Sequence, residues 1–329
     1  MQSPKITNGP IVLLTSVGLI AMLAAYFLPI WWVALTAPNY PKDAFPQGIR
    51  IHFHFDGVYN GCSVAGSGSK RQNEVIQQDL DEKVERYNPI IDAAKDVNKG
   101  AEGLDCVHEM NTINHYVGMF PISTGAPVEK PLAKFFFGFF AVMLLGFMVP
   151  ESARKLRLGV LVAGFAGVAG WMLVDQYVLG HLDAHVSSYV RDATAYFNEP
   201  AKIQHWGEVV RTVSHGAIAG LILAMVVVVI GTARSRRFSL LLAGVPALLP
   251  FFFVVTYSAW LWFFGHNLHP WGAFTVKPFM PTVFGEGKVA QFSTYSYPYW
   301  GFGLLLVVFA SLMLALLLRR KQLRELAAG

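Results

Sequence analysis

Charged side chains are scarce here, at 14% of 329 residues, against about 25% in an ordinary soluble domain. With 54% hydrophobic residues, that shortage excludes an ordinary soluble fold. Cysteine is nearly absent: Cys62 and Cys106 are the only two, leaving room for one disulfide or one pair of thiolate metal ligands. There is no C-x-x-C-H for haem c, no G-x-S-x-G, no H-E-x-x-H, no Walker loop and no dinucleotide fingerprint, so nothing points to hydrolytic catalysis. The long apolar runs also lack the alternation of a membrane barrel. They are therefore expected to be helices, the other backbone arrangement that hydrocarbon permits.

Six such runs are long enough to cross a bilayer, which takes about 20 helical residues. They lie near 11–35, 133–149, 158–179, 213–232, 238–264 and 299–318, with Pro131 as an earlier alternative start for the short second run. The first ends in Trp31 and Trp32 with no A-x-A cleavage pattern after it, so it is expected to be a retained anchor rather than a signal peptide. The expected class is an all-α polytopic membrane protein, with a small α+β extracytoplasmic domain between helices one and two.

Basic residues set the expected orientation. Arg154, Lys155 and Arg157 lie between runs two and three, Arg234, Arg236 and Arg237 between four and five, and Arg319, Arg320, Lys321 and Arg324 after six. These segments and both termini are expected in the cytoplasm of a bacterial inner membrane, with the large loops in the periplasm. The net charge of +5 is then a topology signal; the expected partners are the bilayer and other membrane or periplasmic subunits, not nucleic acid. Among acidic residues, Glu151 and Glu325 alone fall on the cytoplasmic side, and all ten histidines fall in or beside the outer segments 36–132, 180–212 and 265–298.

The expected domains are an anchor (1–35), a periplasmic domain (36–132) with a helical insert (63–105), and a five-helix bundle (133–329). In an oxidising space Cys62 and Cys106 are expected to pair and close the base of that insert. Residues 48–57 alternate, with Ile51, Phe53 and Phe55 on one face and His52, His54 and Asp56 on the other, a strand pattern. Residues 72–87 read as an amphipathic helix, and 180–212 as polar with a short interfacial helix. The loop 265–298, rich in Pro, Gly and aromatics, is expected to pack on the first outer segment. Gly180-His181 and Gly265-His266, each closing a hairpin with a triply basic turn, hint at an internal repeat.

Several histidine groups have ligand-like spacing. In Glu109-Met110-Asn111-Thr112-Ile113-Asn114-His115-Tyr116-Val117-Gly118-Met119, His115 and Met119 are four apart and would share a helix face. Imidazole with thioether suits Cu(I), and Asn114 and Glu109 would orient the ring. His266 and His269 follow the fifth run, with Met280 as a possible thioether, and His181 and His185 pair at i, i+4 beside Asp183. Asp175 lies inside an apolar run, where a carboxylate is usually partnered. The bland reading of each is a capping, packed or locally hydrogen-bonded side chain.

Residues 37–41 (APNYP), 48–57, 109–122 and 265–298 together resemble a family of six-helix membrane proteins found with copper-enzyme gene clusters. An example is the membrane accessory protein of clade II nitrous oxide reductase clusters. The resemblance implies a copper-linked accessory role for the layer holding His115, Met119 and His266. Two alternatives remain open: a redox subunit with haem b or a metal, exchanging electrons with the quinone pool, and a structural subunit of a larger complex.

Overall fold

The computed structural model describes residues 7–38, 40, 42, 45–62, 105–270, 272–273, 276–289 and 291–328. Helix α1 (Gly9–Phe27) is followed by strands β1 (Trp31–Thr36), β2 (Ile49–Phe53) and β3 (Val58–Asn60). Then come α2 (Cys106–Tyr116), α3 (Glu129–Met148), α4 (Arg154–Leu173, running on as a π turn over Val174–Val178) and α5 (His181–Thr194). The chain ends with α6 (Pro200–Arg234), α7 (Leu241–Ala247), α8 (Leu249–His266), strands β4 (Gly285–Val289) and β5 (Phe292–Pro298), and α9 (Trp300–Ala328). The expected helix over 72–87 lies outside the described residues.

Among these, six helices are long and apolar enough to cross a bilayer: α1, α3, α4, α6, α8 and α9. Five of them bury only 28–33% of their most apolar window, whereas α3 buries 61%. Apolar side chains such as Leu13, Leu223, Ile230, Val255 and Leu314 face outward. Helix α3 is thus the centre of the bundle. Glycines let α4 approach it closely: a methyl group at Gly146 would stand 2.6 Å from Leu161, and one at Gly164 2.6 Å from Val142.

The first run is shorter than the sequence suggests. Pro29 holds Leu28 extended (φ −103°, ψ 150°), which stops α1 at Phe27. Trp31–Thr36 then form β1 rather than the end of an anchor, as their β-branched and aromatic content favours. The fifth run is broken as well. Pro246 and Pro250 each remove a backbone donor, and the chain turns at Leu248 between α7 and α8.

One antiparallel sheet, in the order β3-β2-β1-β5-β4, unites both ends of the chain. Val33 of β1 lies opposite Ile51 on one side and Ser296 on the other. The α+β domain expected from residues 36–132 therefore takes two strands from the loop 265–298, which does pack on the first segment. A disulfide joins Cys62 to Cys106, with Cα atoms 6.1 Å apart, and ties the end of β3 to the start of α2.

At the opposite, basic end, Glu151 is buried between Arg157 (2.8 Å) and Arg319 (3.9 Å). Ser239 donates to the same carboxylate at 3.1 Å. Each arginine also donates to main-chain carbonyls that end α3: Arg157 to Val149 at 2.6 Å and Arg319 to Phe147 at 2.7 Å.

Candidate binding chamber

Helix α2 ends in a Schellman turn. Gly118 is left-handed (φ +83°); its amide donates to the His115 carbonyl (2.9 Å) and that of Met119 to Asn114 (2.7 Å). The helix has therefore ended before Met119, which lies with Val117 and Phe264 in an apolar cluster rather than on the His115 face. The Gly118 carbonyl accepts from the His269 amide, and the Ala273 amide donates to the Tyr116 carbonyl, so the loop after α8 docks on this turn by its backbone. A methyl group at residue 118 would stand 2.6 Å from the His269 carbonyl. Gly118→Ala is expected to cost about 1–3 kcal/mol, read as a lower unfolding midpoint in detergent. Gly303→Ala, with open space around it, should show no loss; equal behaviour of the two would refute this.

The other expected ligands are dispersed. His115 packs against Phe197 (5.1 Å) and Tyr196 (6.1 Å), and burial, then the nearby His269, lowers its pKa. His269 lies against the same Phe197, at 4.6 Å, with Nε2 3.0 Å from the Glu199 carboxylate. His266 is exposed, stacked on Trp262, with Nδ1 2.8 Å from the Trp262 carbonyl. His181 Nδ1 lies 3.0 Å from Asp175, and His185 Nε2 2.7 Å from the Pro127 carbonyl, so the i, i+4 pair serves two different acceptors. The two Gly-His pairs differ too: Gly180 is left-handed before α5, while Gly265 sits inside α8.

The orienting roles are also differently assigned. Glu109 accepts from Tyr40 (3.2 Å), whose phenol is pushed up to about 12 by burial and then by that carboxylate. Asn114 reaches the Phe120 carbonyl, and Asp183 lies 3.4 Å from Arg211. Asp175 is partnered, by Lys134 (2.7 Å), His181 and Gln176 (2.7 Å). His52 stacks on Tyr299 and His54 packs on Tyr59, so the strand-face trio does not converge; burial, then Arg50, brings His52 down to about 4. Met280 is 44% exposed. Among the described residues, no group of three or more His, Cys, Asp or Glu side chains has metal-holding geometry.

What the fold does assemble is a cavity of about 590 Å³ between α3, α6 and α8, roofed by the β2–β3 turn. That volume suits a small amphipathic ligand. Its walls are mainly apolar and include nine phenylalanines. Phe55, from the turn, inserts between Phe137 (4.7 Å) and Phe253 (5.9 Å). At the sheet end the wall becomes polar. The first residue of α3, Glu129, accepts from Trp260 Nε1 at 3.0 Å, while its second oxygen is buried with no hydrogen-bond partner among the described residues. A buried acceptor left open beside an apolar space is costly, unless a ligand fills it.

The strap leading into α3 lines the same end. Ala126 has φ +48°, a left-handed conformation disfavoured for alanine and more so before Pro127. Two groups hold it there: His185 on the Pro127 carbonyl and Lys130 Nζ donating to the Ser123 carbonyl. Buried Asn111 secures the strap's origin by accepting from the Ile122 amide at 2.8 Å. Backbone strain held in this way is concentrated at binding sites. Sequence reasoning missed Glu129, Lys130 and Trp260; the available signal was an acid–base pair set immediately before the most aromatic run. In comparison with protein families, curated proteins and solved structures, this chain matches none.

Proposed function

We propose that this chain is a six-span inner-membrane protein that binds a hydroxyl-headed lipid of the quinol class in the α3–α6–α8 chamber. The open Glu129 oxygen at the polar end of an aromatic cavity carries this reading. A carboxylate oxygen accepts and does not donate, so it favours a head group with an O–H donor. The phenylalanine walls suit a ring and its apolar tail. We assign the end of the bundle that holds the basic turns, the start of α1 and the end of α9 to the cytoplasmic side, and the end that holds the sheet and its disulfide to the periplasmic side. This favours the quinone-pool alternative over copper, because the expected copper ligands do not converge: Met119 lies off the His115 face, and His181, His185 and His266 each serve a separate acceptor.

The test uses the full chain in lipid nanodiscs, titrated with decyl-benzoquinol and followed by tryptophan quenching, since Trp260 touches Glu129. Saturable binding is expected, weaker for the oxidised quinone, which only accepts. Glu129→Gln should weaken quinol binding by about tenfold to a hundredfold, the worth of a hydrogen bond to a charged group. No saturation, or an unchanged Glu129→Gln affinity, would sink the proposal. Stoichiometric copper in the purified protein, lost in His115→Ala, would favour the accessory role instead.

A further inference from the structure

Behind the strap lies a second cavity, small and polar. It measures about 180 Å³ and is lined by Asp56, Lys130, His185 and Asp192, with Ser123 and Ser188. That is room for several waters at about 30 Å³ each. Lys130 lines both this pocket and the chamber. Its ammonium lies within electrostatic reach of Glu129 on the chamber side and Asp192 on the pocket side.

From this arrangement we infer that the polar pocket is a proton-transfer site, which exchanges protons between the aqueous face and the Glu129 carboxylate through Lys130. The step conserves charge and atoms. Through water in the pocket and chamber, Asp192, protonated from the aqueous face, gives its proton to Lys130 as the ammonium, held on the Ser123 carbonyl, passes one to Glu129; Lys130 ends as it began. The net change is one proton moved from Asp192 to Glu129. The groups facing this path are Asp56 from the β2–β3 turn, Glu129 and Lys130 from α3, and His185, Tyr189, Arg191 and Asp192 from α5. Burial raises the Asp192 pKa against the opposing pull of Arg191 and Lys130, which brings that carboxyl toward the pH range where it can carry protons. His185 is lowered by burial and then by Lys130, against the Pro127 carbonyl, so it stays a neutral wall at pH 7.

The inference rests on the chamber reading, since a proton at Glu129 matters only if that side chain meets a ligand. Its test needs no ligand, which keeps the two failures apart. The full chain in nanodiscs is followed by time-resolved infrared spectroscopy after a pH jump, with the Glu129 carboxyl band assigned by its loss in Glu129→Gln. In Asp192→Asn the rise of that band should slow by about 100-fold, the lower end of what a positioned proton donor contributes. Quinol affinity at pH 7 should stay at the wild-type value, and Asp192→Glu should restore the rate. A wild-type rate in Asp192→Asn, or an Asp192→Glu variant as slow as Asn, would overturn the relay. Lost chamber binding with an intact relay would overturn the quinol reading alone.

Discussion

Glu151→Ala is expected to destabilise the chain by about 3–5 kcal/mol, the cost of stranding buried charge. The carboxylate is 4% exposed and lies between Arg157 at 2% and Arg319 at 0%. Removing it leaves two guanidinium groups facing one another with no anion between them. Neither arginine can be neutralised cheaply, and both are held by the carbonyls that close α3, so relaxation would disturb the central helix. Denaturant titration in mixed micelles should show the loss, with exposed Glu286→Ala near wild type. A Glu151→Ala loss below about 1 kcal/mol, the worth of a surface ion pair, would show that this cluster is solvated.

The disulfide gives the second large effect. Cys62 and Cys106 are separated by 44 positions, and closing a loop of that size removes about 4 kcal/mol of unfolded-chain entropy in the loop-closure model. The bridge also fastens α2, and hence the His115–Gly118 turn and the docked His269 loop, to the sheet. Cys62→Ala with Cys106→Ala is expected to lower stability by about 2–4 kcal/mol. Wild-type protein should fall to the same level in reductant while the variant does not respond. A reductant-insensitive wild type would refute the claim.

The helical class was legible because hydrocarbon length and backbone satisfaction leave their mark on every apolar run. Strand β2 was legible too, through the alternation of Ile51 and Phe53 with His52, and so was the cysteine pair. Trp31–Thr36 was misread as helix because apolar character alone does not distinguish a buried strand from the end of a span; Pro29 held the missing information. The β4–β5 hairpin was hidden by a loop whose Gly and Pro content obscured its alternation. For the site, spacing misled at His115 and Met119, since Gly118 ends the helix between them. Single-chain periodicity cannot show which helices part. The chamber between α3, α6 and α8 depends on such partings, and the meeting of Glu129 with Trp260 on a pairing 131 positions apart.

Strand β1 lies between β2 and β5, yet β5 is made after most of the chain. During synthesis, β1 therefore waits with one edge unpaired while more than 240 residues follow, an arrangement of high contact order and slow closure. Truncation before Phe292 would remove more than a terminal helix: it would leave an adhesive edge on the part already built, prone to capture by neighbouring chains.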